Sequence, residues 1–143
     1  MTFEVDDADD EWVYPHPFCY IHSRFTAVCW TDPLSIIRKA FAALTPGGYY
    51  EMQDISGPFS SIDNTHEGTP IFKMANLVKQ AFLQHGIDVE AQAMMEEVGF
   101  VDVKETVIEF PIGTWAKSWY HKTIGKWYQK DLINGIEGIM LGC

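Results

Sequence analysis

Apolar residues fall along this chain in short runs and helical stripes, separated by turns that proline and glycine mark. Phe3 to Val5 is a brief apolar stub that reads as the end of a strand. Phe18-Cys19-Tyr20-Ile21-His22 follows a proline-rich turn and reads as a buried strand. Asp32-Pro33 then supplies an N-cap with proline at the first helical position. Ile37, Ala40, Phe41 and Leu44 follow at helical spacing until Pro46-Gly47-Gly48 stops them. Tyr49 to Ile55 predicts the next strand, and Gly57 to Gly68 is polar and turn-rich. Thr69-Pro70 repeats the helix-start signal, with Ile71, Met74, Ala75, Val78 and Phe82 as a stripe that Gly86 ends. Asp88 is placed to cap a shorter helix closing at Gly99. Phe100 to Phe110 reads as a strand, since Val101, Val103 and Val107 share one parity. Beyond Pro111 the aromatic-rich stretch predicts a helix to about Ile136, and Gly138 to Cys143 is apolar but broken by glycine.

Strands alternating with helices imply parallel strands joined by crossovers, an α/β layer architecture. Ligands in such sheets bind beyond the carboxyl ends of the strands. That rule singles out Asp6, Asp7, His22, Ser23, Arg24, Gln53 and Asp54. No repeat, low-complexity stretch or Ser/Gly linker marks a boundary, so residues 1–143 read as one domain.

Composition narrows the classes. Hydrophobic residues make up 47% of the 143, ample for a core without staples. Cys19, Cys29 and Cys143 show no paired spacing, which favours a reducing compartment. The acidic amino terminus is not a signal peptide, and no apolar run approaches the roughly 18 to 20 residues of a membrane helix. The expectation is a soluble cytoplasmic or nuclear protein. Ten basic residues against twenty acidic ones give a formal charge of −10, which argues against nucleic acid and anionic membrane as partners. The densest acidic run, Glu4, Asp6, Asp7, Asp9, Asp10 and Glu11, reads for the most part as a solvated end.

Other chemistries find little support. His16-x-x-Cys19-x-x-His22 has a metal-like spacing, but positions three apart on a strand face opposite ways and no fourth ligand follows, so no metal is expected. Gly47-Gly48 forms a tight turn, not a phosphate loop, because no Lys-Ser or Lys-Thr follows. Trp115, Trp119 and Trp127 fit a core or an interface better than the roof of an apolar pocket.

Four segments in register carry a resemblance: Phe3-Glu4-Val5-Asp6-Asp7-Ala8, Phe18 to Arg24, Leu44-Thr45-Pro46-Gly47-Gly48-Tyr49-Tyr50-Glu51, and Val98-Gly99-Phe100-Val101-Asp102-Val103. They resemble class I S-adenosylmethionine-dependent methyltransferases, and most of all the fungal LaeA-like group associated with secondary metabolism. Trp12-Val13-Tyr14-Pro15, Pro111-Ile112-Gly113-Thr114-Trp115 and the stretch from Ile124-Gly125 to Glu137-Gly138 are similar to that group as well. Cys19 departs from it, since members usually carry aspartate there.

The resemblance implies an incomplete Rossmann-like sheet holding the equivalents of strands 3 to 6, with flanking helices: a partial methyltransferase domain over 1–143. It implies S-adenosyl-L-methionine as cofactor. Asp7 would accept from the adenine amino group, with Asp6 as a one-residue register alternative, and the Ala8 amide would meet the ring. His22 would orient or deprotonate the acceptor, and Arg24 would hold a substrate carboxylate; equally, they read as a strand-end histidine and a surface charge. Asp54 either lines the substrate pocket or begins the polar loop. Asp7 and His22 are expected to converge on one crevice. The sequence has no Gly-x-Gly-x-Gly turn for the methionine end of the cofactor and begins at the third strand. It also stops before the antiparallel strand that normally lies between the fifth and the sixth. The leading expectation is therefore methyl transfer to a small-molecule or protein acceptor, with a partner chain or second copy completing the sheet. The alternative is a non-catalytic interaction module or a truncated fragment.

Overall fold

The computed structural model describes residues 3–55, 60, 61, 63–84 and 91–141. Its contacts divide into two units, Met1–Lys104 and Glu105–Cys143. The first unit contains β1 (Phe18–Arg24), a 3-10 turn (Ala27–Cys29), α1 (Pro33–Ala43), β2 (Leu44–Gln53), α2 (Pro70–Gln84) and α3 (Ala91–Val98). The second contains α4 (Trp119–Leu141).

β1 and β2 pair in parallel, with His22 opposite Glu51 and Arg24 opposite Gln53. A parallel pair needs a crossover, and α1 supplies it. The Asp32 side chain caps this helix by accepting from the Ser35 amide at 3.1 Å, with Pro33 at its first position; such a cap contributes about 1 kcal/mol. Pro33, Ile36, Ile37 and Ala40 recur at helical spacing and form its buried face. Ile36 joins Ala27 and Trp30 in a cluster that Ala8, Trp12 and Met52 pack against. β2 begins earlier than the sequence predicts, at Leu44, and ends at Gln53. Phe18 faces Leu44 but Tyr20 faces Tyr49, so the Thr45 to Gly48 turn is bulged out of the ladder. Gly47, at φ +79°, supplies the left-handed residue that turn needs.

Two predicted strands do not form. Phe3 to Val5 carries no strand pairing, and Phe3 and Val5 are fully exposed. In the doubly wound order that the resemblance implies, two strands would separate the third from the fourth, and among the described residues this segment has no partner strand. Phe100 to Phe110 is likewise unpaired, and Val101, Val107 and Ile108 stand exposed. Asp102 at φ +55° breaks its extended run. In the fold implied by the resemblance, another strand stands between this segment and β2. The described sheet thus consists of two parallel strands, β1 and β2.

The helices starting at Thr69-Pro70 and closing at Gly99 are present as α2 and α3. Gly99, at φ +116°, ends α3, with its own amide and that of Phe100 both bonding the Met95 carbonyl. Gly86, Asp88 and the loop positions 56–59 and 62 lie outside the described residues, as does Cys143.

In the second unit, α4 runs past the predicted end at Ile136 to Leu141, through Gly135 and Gly138. Each interior glycine costs a helix only about 1 kcal/mol, which is not enough to stop it. Trp115, Trp119 and Trp127 are exposed on this unit, so they do not fill a core there. Gly125 has a packing reason. The Gly113 amide donates to its carbonyl at 3.0 Å, and a Cβ on Gly125 would overlap the Gly113 carbonyl oxygen and sit 2.9 Å from that of Pro111. Gly125→Ala should therefore push the Pro111–Gly113 turn off the helix, at about 1–3 kcal/mol for forced overpacking. Hydrogen exchange at the Gly113 amide checks this: the amide should lose protection, and unchanged protection contradicts the reading.

Candidate functional site

The residues after β1 and the acidic segment near the amino terminus form an open cleft of about 540 Å³. Asp6, Asp7 and Ala8 line one side, and Thr26, Cys29 and Trp30 line the other. The volume lies in the ordinary range for small-molecule sites, about 300–1,000 Å³. Phe25 makes the turn out of β1 in a left-handed conformation, φ +53°, with its amide donating to the Gln53 carbonyl at 3.0 Å. A bulky residue there is strained by roughly 1–2 kcal/mol.

The acidic segment is more ordered than a solvated end. Asp7 Oδ1 accepts from the Asp9 amide at 2.9 Å, and Asp6 Oδ1 accepts from the Asp7 amide at 3.0 Å. Asp9 Oδ2 accepts from both the hydroxyl and the amide of Thr31, at 2.7 and 3.1 Å. These bonds hold the Asp9 carboxyl below its ordinary pKa, and the nearby Lys39 ammonium adds to them. The Trp12 indole donates to the Ala8 carbonyl at 3.1 Å.

Asp54 follows β2 and is partly buried beneath the turn after β1. Burial pushes its pKa up, and the amides of Ala27 and Thr26 offset part of that. Asp54 Oδ2 and Thr26 Oγ1 are both buried without a partner among the described residues.

His22 and Arg24 stand elsewhere. They share an exposed strand face with Tyr20, whose ring stacks on His22 with centroids 6.3 Å apart. The Tyr20 hydroxyl donates to Glu51, and this bond holds the Glu51 carboxyl below its ordinary value. Arg24 lies over the Phe25 ring, 5.5 Å from its centroid. Ser23 and Met52, opposite each other in register, belong to the other face, and Met52 packs on the cluster that also receives Ala8. The structure thus gathers Asp6, Asp7 and Ala8 in one cleft. It does not bring His22 or Arg24 into that cleft, and the expected convergence of Asp7 with His22 is absent, because side chains one position apart on β1 face opposite ways. Asp54 supports the cleft from below rather than lining it. Among the described residues, no group of three or more His, Cys, Asp and Glu side chains could hold a metal ion. Cys19 and Cys29 are free thiols. No helix of the described residues is long and apolar enough to cross a membrane.

Sequence reasoning missed Lys39, Thr31 and Thr26 as parts of this site. Lys39 stands beside Arg38 on α1 and its partners are main-chain carbonyls, so side-chain spacing carried no signal for it. Thr26 carried none either.

The cleft fits the nucleoside end of S-adenosylmethionine: carboxylates for an amino group and an aromatic wall at Trp30. The sequence offers no glycine-rich turn for the methionine end.

Because its orphaned oxygen costs more when charged, Asp54 stabilises the fold below the ordinary aspartate pKa. That contribution is lost as pH rises through its elevated native value. Asp54→Asn should therefore be more stable than the wild type at pH 7, with the gap narrowing as pH falls through that window. Urea midpoints at several pH values measure this, and a gap that widens on acidification overturns it.

No family model and no solved structure matches the chain. Curated relatives do. A probable methyltransferase, tdiE, of Emericella nidulans is 30% identical over 139 residues, covering 94% of this chain and 44% of that protein. The methyltransferase pytC of Aspergillus terreus is 28% identical over 150 residues, covering 96% and 44%. The secondary metabolism regulator LAE1 of Cochliobolus heterostrophus is 30% identical over 125 residues, covering 83% and 41%. The chain spans less than half the length of these relatives. Its homologues are fungal methyltransferases, and they include the LaeA-like regulators of secondary metabolism.

Proposed function

We propose that this chain is the adenosine- and acceptor-facing part of an S-adenosylmethionine-dependent methyltransferase of fungal secondary metabolism. The observation that carries the reading is the cleft in which Asp6, Asp7 and Ala8 meet Thr26 and Trp30 beyond β1. The similarity to methyltransferases over nearly the whole chain supports it. When bound, the cofactor supplies an electrophilic methyl group, which passes to the acceptor as its carbon–sulfur bond breaks. The protein's work is to hold the two reactants in line. Asp7 accepts from the adenine amino group through the carboxylate oxygen that Asp9 leaves free, with Asp6 as the register alternative, and the Ala8 amide meets the ring. His22 takes the proton of a small-molecule or protein acceptor, Arg24 draws in an anionic group on it, and Asp54 positions the turn between them. Because His22 stands on the strand face away from Ala8, the acceptor reaches it over the carboxyl end of β1.

A second reading has its own observation. The described sheet has only two strands, so each keeps an outer edge, and Tyr20 and Tyr49 lie exposed on one face. Open edges recruit further strands. A partner chain or a second copy completing the sheet would make this an interaction module, with or without methyl transfer.

Titration calorimetry with S-adenosylhomocysteine separates the two. Micromolar binding that Asp7→Ala weakens by about 10–100-fold, the worth of a hydrogen bond to a charged group, supports the enzyme. No heat at millimolar ligand removes cofactor binding from this chain and leaves the module, which light scattering then tests as a stable complex or dimer. In an active assembly, His22→Ala should lower kcat by about 10²–10⁴-fold; undiminished turnover takes the proton-transfer role away from it.

A further inference from the structure

The acidic segment is bound by one cation. Lys39, half-buried on α1, directs Nζ to the carbonyls of three consecutive residues, Ala8 at 3.2 Å, Asp9 at 2.8 Å and Asp10 at 2.9 Å. An ammonium has three protons, and here each finds a carbonyl. In a planar peptide the carbonyl of one residue and the amide of the next point in opposite directions. Drawing the Ala8 and Asp9 carbonyls onto Lys39 therefore turns the Asp9 and Asp10 amides away from it. Both amides end on Asp7: Asp9 N–H donates to the Asp7 carboxylate at 2.9 Å, and Asp10 N–H donates to the Asp7 carbonyl at 3.1 Å.

We infer that Lys39 is the positioning residue of the cleft, fixing the Asp7 carboxylate from the helix behind it. Lys39 makes no salt bridge to a carboxylate among the described residues, although its charge acts on Asp9 from nearby. The ion pair of the same helix is made by its neighbour Arg38, whose guanidinium meets Glu97 at 3.1 Å. Arginine cannot replace lysine here, because its planar fork spreads its donors instead of aiming three from one atom. The inference rests on Asp7 as the ligand-facing group of the proposed site, but the clamp itself is a property of the protein without ligand.

The test uses the full chain as wild type, Lys39→Met, Lys39→Arg, Lys39→Gln and the neighbouring control Arg38→Met, each checked for helix content by circular dichroism. Amide hydrogen exchange is read at Asp9 and Asp10 without ligand, and S-adenosylhomocysteine affinity is read by calorimetry. The expected result is that all three Lys39 variants lose protection at both amides by at least tenfold and bind S-adenosylhomocysteine at least tenfold more weakly. Arg38→Met should do neither. Should the wild type bind no S-adenosylhomocysteine, the methyltransferase reading fails for this chain, while selective loss of protection at Asp9 and Asp10 still supports the clamp. Unchanged protection in Lys39→Met overturns it, and so does full rescue by Lys39→Arg. If Lys39→Met fails to fold, Lys39→Gln, which keeps a shorter polar stem and one amide group, carries the same comparison.

Discussion

One buried face holds the described sheet together. The Pro33, Ile36, Ile37 and Ala40 stripe of α1 is the largest continuous apolar surface withdrawn from water, with Ile37 and Ala40 wholly buried. Two parallel strands cannot turn directly into each other, so β1 and β2 stay in register only while the helix between them packs on their shared face. Truncating Ile37 to alanine would remove about 2–5 kcal/mol by the usual cost of a buried branched side chain. That is a large fraction of the stability of a small domain. The cleft hangs on the same contact: Ile36 meets Trp30 and Ala27, and these belong to the turn that walls it.

What surrounds that core is underfilled. Phe3, Val5, Val101 and Val107 have strand-like composition but no strand partners among the described residues. Exposed β-branched and aromatic side chains beside an open edge are the features that drive pairing between chains. A second segment that closed the sheet would satisfy the free ladder. The methyltransferase and interaction readings thus share one requirement, surface from outside the described sheet, and differ in whether the cleft is used.

The elements legible in the sequence were those with local causes. Asp32-Pro33, Thr69-Pro70 and Gly99 act through capping and left-handed backbone, which need no distant partner, and the structure places helix ends at all three. The Phe18 strand was legible because its neighbour, β2, lies a single helix away. The failures are non-local. Alternation predicted extended chain at Phe100 to Phe110, but alternation does not create a partner strand. The end of α4 failed in the opposite sense, since two glycines weakened the helix without stopping it. Strand-end position singled out Asp6 and Asp7 and the resemblance added Ala8, and the structure gathers all three along one cleft. Lys39 was not singled out, because three main-chain carbonyls leave no trace in side-chain spacing. His22 lies near the carboxyl end of β1, but strand parity turns it from the cleft.

Three stresses among the described residues lie near one another, while Asn64 and Asp102 take left-handed φ elsewhere. Phe25 in a left-handed conformation, the orphaned Thr26 hydroxyl and the orphaned Asp54 oxygen all sit within one turn beyond the carboxyl ends of β1 and β2. Each raises the energy of the folded chain, by about 1–3 kcal/mol for an unsatisfied buried polar atom. These three adjoin the cleft that the Lys39 clamp shapes. Local strain of this kind is ordinarily retained where binding repays it. The same three groups would be hard to explain in a surface whose only role was to carry an exposed sheet edge, because pairing along β1 touches none of them.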